Sequence, residues 1–116
     1  MEHRLVVSEG RISLSLHWSF VGKDLQVVIE GGESHIGAVA LCHAGETPMQ
    51  PLQLPHHREA ELVQTVAHRL ASALGNTVCV SAGIHYQDIT QAEIATVLSL
   101  ADRLADQCLN HLLANR

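Results

Sequence analysis

The chain carries nine histidines in 116 residues, and three of them stand where they could do chemistry. His35 follows the glycine pair Gly31-Gly32 and leads into the small-residue run Ile36-Gly37-Ala38. His57 sits in His56-His57-Arg58, just ahead of Glu59 and Glu61, and His85 closes Ala82-Gly83-Ile84. Two kinds of chemistry suit these residues. Imidazoles of His35, His57 and His85 with the Glu61 or Glu59 carboxylate have the donor types that hold zinc or manganese. The same set also suits a pocket for a phosphorylated planar ligand. Arg58 offers a fork to a phosphate, and the imidazoles would meet the ligand's polar edge. No spacing matches a tight metal motif such as His-Glu-x-x-His. Ser34 beside His35 is adjacency in sequence, which does not establish a nucleophile and its base. Each histidine taken alone is more commonly a turn, cap or surface residue.

Composition narrows the field. A 116-residue chain is read as one domain, residues 1–116, and buries about two-thirds of its unfolded surface. Hydrophobic residues make up 47% and charged residues 16%, which suits a packed core. Net charge is −5 with only 7 Lys plus Arg, so nucleic acid and anionic membranes are poor partners. Aromatics at 3% cannot build a base-stacking surface. No apolar run spans a bilayer, and no secretion signal is visible. Cys42, Cys79 and Cys108 are unclustered and read as reduced thiols, so a cytoplasmic location is expected.

The elements that must position the histidines follow from periodicity. Residues 1–10 read as a frayed start or a short edge strand. Ile12, Leu14, Leu16, Trp18 and Phe20 alternate with Ser13, Ser15, His17 and Ser19, a half-buried strand. After the turn at Gly22-Lys23-Asp24, Leu25, Val27 and Ile29 form its hairpin partner. Gly31-Gly32 reads as a turn, and residues 36–42 as a central strand apolar on both faces. Residues 43–51 are a loop and Leu52-Gln53-Leu54 a short extended piece. Leu62, Val63, Val66, Ala67, Leu70, Ala71 and Leu74 mark a helix stopped at Gly75. Thr77 to Ala82 reads as a second central strand, and residues 83–89 as loop. Thr90-Gln91-Ala92-Glu93 is a capping box opening a long C-terminal helix, whose stripe is Ile94, Val97, Leu98, Ala101, Leu104, Ala105, Cys108, Leu109 and Leu112.

This order predicts an α+β two-layer domain, a mostly antiparallel sheet with two helices on one face. The other face, with Ser13, Ser15, His17, Ser19, Gln26 and Val28, is left to solvent or to a second subunit. Following chain direction through short returns places three histidine-bearing loops and both helix N-termini at one rim of the sheet. Helix N-termini attract anions, which favours a phosphate there.

The ordered set Gly31-Gly32-x-x-His35-Ile36-Gly37-Ala38-Val39-Ala40-Leu41, His57-Arg58-Glu59, and Ala82-Gly83-Ile84-His85 followed by Asp88-Ile89-Thr90-x-x-Glu93-Ile94 resembles the LpdD family. These small proteins accompany hydroxyarylic (gallate-type) decarboxylases. The resemblance covers about residues 10–113. It implies a non-catalytic chaperone for prenylated FMN (or FMN) that protects the modified flavin and delivers it to a UbiD-type decarboxylase. A flavin prenyltransferase would then be a second partner. It implies a fold similar to proteasome-assembly chaperones, and a homodimer. By position it implies that Gly32, His35, Ile36, Gly37, Ala38, His57, Arg58, Gly83, Ile84 and His85 contact the cofactor. A divalent metal on His35, His57, Glu61 and His85 would be an addition. The chain departs from the family where Gly-His-Lys is usual and His56-His57-Arg58 stands here, since Arg keeps the charge but reaches differently. The alternatives are a small metal-dependent enzyme built on the same histidines, or a structural adaptor of a decarboxylase complex.

Overall fold

The computed structural model describes residues 3–44, 46–55 and 59–116. His56, His57 and Arg58 therefore lie outside the described residues. In chain order the elements are β1 (His3–Glu9), β2 (Ile12–Val21), β3 (Asp24–Gly32), β4 (Ala38–Cys42), β5 (Leu52–Gln53), α1 (Ala60–Leu74), β6 (Val78–His85) and α2 (Gln91–Ala114). The six strands form one sheet in the order β1-β2-β3-β6-β4-β5. Neighbours are antiparallel except β3 and β6, which run parallel in the middle. This is the expected α+β architecture, with both helices on one face.

The alternation in β2 works as read. Ile12, Leu14, Leu16 and Trp18 are buried, and α2 packs on β1 and β2 above them. Phe20 departs from the pattern and is exposed. Of the two readings of the first residues, the edge strand holds for His3–Glu9. On α1 every predicted core residue is buried, because the three- and four-residue spacing lays them on the stripe facing β4 and β6.

Three expectations change around the rim. Gly31-Gly32 is not a turn but the end of β3, and residues 83–85 are not loop but the end of β6. The two pair with each other, Gly31 with Ile84 and Gly32 with His85, which carries the parallel ladder past the predicted strand ends. The third change concerns the strand expected over 36–42. It starts only at Ala38, and Ile36 is exposed. Within β4, Ala38, Ala40 and Cys42 are buried toward α1, while Leu41 points to the other sheet face and is exposed as well. A true central strand would have been covered on both faces.

Candidate histidine rim and helix-layer cavity

Chain direction converges as expected. β3 and β6 end at one edge of the sheet, β4 begins there, and α1 and α2 both start above it. His35 and His85 are carried to this edge by the two central ladders. Between β3 and β4 the chain crosses the sheet's end as a strap. Glu33 N donates to His85 O at 3.0 Å and Gly37 N donates to Ala82 O at 2.8 Å. The strap passes so close to β6 that a Cβ on Gly83 would lie 1.7 Å from the His35 carbonyl oxygen. Gly32, at φ +64°, would put a Cβ 2.0 Å from His85 O. The glycines therefore serve backbone approach.

Glu59 completes this corner. β4 pairs with β6 only as far as Ala82, which leaves the next amide of that edge without a strand. The Glu59 carboxylate takes its place, accepting from Ile84 N at 3.2 Å. It is buried, and its Oε1 lies 3.6 Å from His35 Nε2. The His35 Nδ1 lies 3.0 Å from the Glu33 carbonyl. A carbonyl only accepts, so it holds the ring proton on Nδ1 and leaves Nε2 facing the carboxylate. Glu59, one of two carboxylates weighed from sequence, is thus the one built into the rim. Glu61 is exposed and lines the cavity beside it. His85 is exposed at the cavity's mouth. Ile84 is half-buried against the core, and Ala38 and Gly37 are buried in the sheet and strap. Among the described residues no three metal-ligating side chains come together. Ser34 is hydrogen-bonded to Glu30.

The helix N-termini are less open than their dipoles suggest. At α2 the Thr90 hydroxyl accepts from Glu93 N, and the Glu93 carboxylate accepts from Thr90 N, both at 3.1 Å. At α1 the Gln53 side-chain oxygen accepts from Ala60 N at 3.0 Å. Protein oxygens already occupy donors that an anion would use.

A second group, not foreseen from sequence, braces this end. Arg11, in the β1–β2 turn, holds both Glu93 oxygens (2.6 and 2.9 Å) and donates to Gln87 O at 2.9 Å. Its guanidinium lies over the Tyr86 ring, 5.7 Å from the centroid. Tyr86 Oη donates to Ser13 O and accepts from Ser13 N. The loop after β6 is thereby clamped to the hairpin. The signal available was the chain's one tyrosine, next to His85.

The Arg11 hydrogen bond, followed by the Thr90 backbone bond, holds the Glu93 carboxyl at about 2 against an ordinary 4.5. A carboxyl depressed on folding adds stability above its unfolded value, and that stability disappears as pH falls through the folded value. The unfolding temperature of Glu93→Gln should therefore lie below that of the parent at neutral pH, with the gap closing between about pH 5 and pH 2. Thermal melts across that range test it; a constant gap would mean that the Glu93 charge does not matter. Elsewhere burial pushes the Cys108 thiol up to about 12 and raises Cys42, so neither is a reactive thiolate at neutral pH. On the open sheet face burial would raise Glu30, but hydrogen bonds from Ser34 and His17 outweigh it and hold the carboxyl down. The His17 Nε2 contact is 2.9 Å.

Below the rim a cavity of about 860 Å³ opens between α1 and α2. Leu62 and Val66 form one wall and Ile94, Leu98 and Ala101 the other, with Glu59, Ile84 and His85 at the top.

Comparison with known proteins places these features in context. The prenylated flavin chaperone LpdD-like domain model matches residues 8–113. Protein LpdD of Lactiplantibacillus plantarum is 31% identical over 101 residues, which is 82% of this chain and 74% of that protein. Among solved structures, the chain resembles one titled a novel chaperone complex for yeast 20S proteasome assembly. The TM-score is 0.62 at 9% identity, over 97% of this chain and 96% of that one, which is a likeness of fold. No described helix is long and apolar enough to cross a membrane.

Proposed function

The chain belongs to the LpdD-like chaperone family, and from that premise we propose that it is a non-catalytic carrier of prenylated FMN. It would hold the modified flavin away from water and oxygen after its synthesis by a flavin prenyltransferase, and pass it to a UbiD-type decarboxylase. Decarboxylation would occur on the partner, and the carrier would act as a homodimer in the cytoplasm. The observation that carries this reading is the gathering of His35, Glu59 and His85 at one rim by the central strands.

The rim suits such a cargo in donor chemistry. His85 is exposed, so its imidazole can meet the polar edge of a ring system. His35 is braced on the Glu33 carbonyl and presents a fixed orientation. The flavin phosphate falls to Arg58 and His57, since the helix N-termini already hold protein oxygens. Leu54 and Glu59, on either side of that segment, both bond to the rim, through Gly37 O and Ile84 N. A carrier must also release its load. Hydrogen bonds from a few imidazoles and one guanidinium give a reversible hold with no covalent tether.

The test is anaerobic co-expression with a flavin prenyltransferase, followed by absorbance, ligand mass and metal analysis of the purified protein. Prenylated FMN at about one per chain is expected. His57→Ala and His85→Ala should each weaken retention by about tenfold, or about 1.4 kcal/mol, without moving the unfolding temperature. A colourless parent protein would remove the carrier reading, and stoichiometric metal in its place would shift it to a metal-dependent enzyme. Normal retention by both variants would leave the cargo and move its site.

A further inference from the structure

We propose that the slot between α1 and α2 is a docking groove for an amphipathic helix of a partner protein, one that carries lysines or arginines beside an apolar stripe. The slot follows from the layer geometry. α1 lies over β4 and β6, and α2 over β1 and β2. Two helices about 10 Å across cover about four strands spaced 4.8 Å apart, so the seam between them falls above β3.

The lining matches a third helix. Leu62 and Val66 on α1 are four apart, and Ile94, Leu98 and Ala101 on α2 are spaced by four and three. Such rows are the ridges between which the i, i+3 and i+4 anchors of a docked helix seat. Leu98 is 55% exposed although it lies in the middle of the wall, where the α2 stripe predicts a core residue. α2 lines the slot from residue 91 to 105, a span of about 21 Å, or four turns of a docked helix.

Charge selects the occupant. Among the described residues, Glu59, Glu61, Asp88 and Asp102 line the slot with Arg69, which is itself paired with Asp102 and Asp106. An anionic phosphate would be repelled here, whereas lysines or arginines flanking an apolar stripe would be drawn in. The slot and the histidine rim share Glu59 and His85, so a docked partner would sit against whatever the rim holds. The inference stands independently of what that cargo is.

Fluorescence anisotropy with the full chain tests this, using a labelled helical peptide of about fourteen residues with a leucine stripe flanked by lysines. A counterpart with glutamates for lysines is the control. The chain should bind the lysine peptide and not the glutamate one. Leu98→Asp and Asp102→Lys should each weaken binding about tenfold, while Glu46→Lys, outside the slot, should not. Both altered residues are exposed, and thermal melts establish that the variants fold. Equal loss with Glu46→Lys would reduce the effect to the chain's net charge and overturn the proposal. So would peptide binding that ignores Leu98→Asp. If Leu98→Asp instead abolishes retention of prenylated FMN, the slot belongs to the cargo. If it dissolves a dimer of the chain and the peptide never binds, the slot belongs to a second copy.

Discussion

Gly83→Ala is expected to lower the unfolding temperature by about 10 °C and to abolish the histidine rim. The added Cβ would lie 1.7 Å from the His35 carbonyl oxygen and 2.3 Å from its carbon. Both are backbone atoms, so no rotamer change relieves the clash. The strap between β3 and β4 must lift, which strains the bonds Glu33 N–His85 O and Gly37 N–Ala82 O on either side. Two strained backbone bonds plus distortion amount to about 3 kcal/mol, and a domain of this size loses about 4 °C per kcal/mol. The lifted strap also carries His35 away from Glu59, so binding at the rim should fail even below the new melting point. A melt within 2 °C (roughly 0.5 kcal/mol) of the parent would show that the strap yields freely and that its closeness is not structural.

The second large effect lies at the opposite end of the core. Trp18 is the largest fully buried side chain. It stacks on His3 with ring centroids 5.0 Å apart and meets the His111 ring edge-on at 5.3 Å. Trp18→Ala should cost about 3–5 kcal/mol through lost burial and the cavity left behind. Trp18→Phe is the informative contrast. The indole Nε1 is buried with no hydrogen-bond partner among the described residues, and an orphaned donor costs about 1–3 kcal/mol. Phenylalanine removes that donor while keeping most of the ring, so the two terms offset and the net change should stay within about 1 kcal/mol. Urea midpoints of the two variants decide it. If Trp18→Phe is as damaging as Trp18→Ala, the indole nitrogen has a partner or the lost volume dominates.

Most of the architecture was legible because burial is periodic. The β2 alternation and the α1 stripe each name one face, and the structure buries those faces. The Thr90–Glu93 capping box was legible because it is a local bond between residues three apart. Gly31-Gly32 misled because a glycine pair reads alike as a turn and as a strand end that must admit a neighbouring backbone. Only the long-range ladder to Ile84 and His85 separates the two readings. Residues 83–85 look like loop from sequence for the same reason, since their partner lies some fifty positions earlier. Ile36 and Leu98 kept an apolar signature while lying exposed. Local pattern reports that a residue is apolar, not whether anything covers it. Arg11 was invisible because its partners, Gln87 and Glu93, are distant in sequence and meet it only through the fold. At the site, His35 and His85 were correctly carried to one edge by chain direction alone, and the choice between Glu59 and Glu61 needed the amide left open at the end of β4.

The parallel pairing of β3 with β6 also fixes an order of assembly. β1, β2 and β3 are joined by two-residue turns and can zip together as soon as residue 32 has been made. β6 pairs in register from Val78, so that ladder must close over β4, β5 and the whole of α1. Long-range closures of this kind come late in folding. His35 finds its neighbours at Gly83 and Glu59 only once β6 has docked. The rim is therefore among the last features to form, during synthesis as well as in refolding. The rim's described residues end at His85, so a nascent chain cannot assemble it before β6 has been made, whereas α2 from Gln91 onward can still be added afterwards.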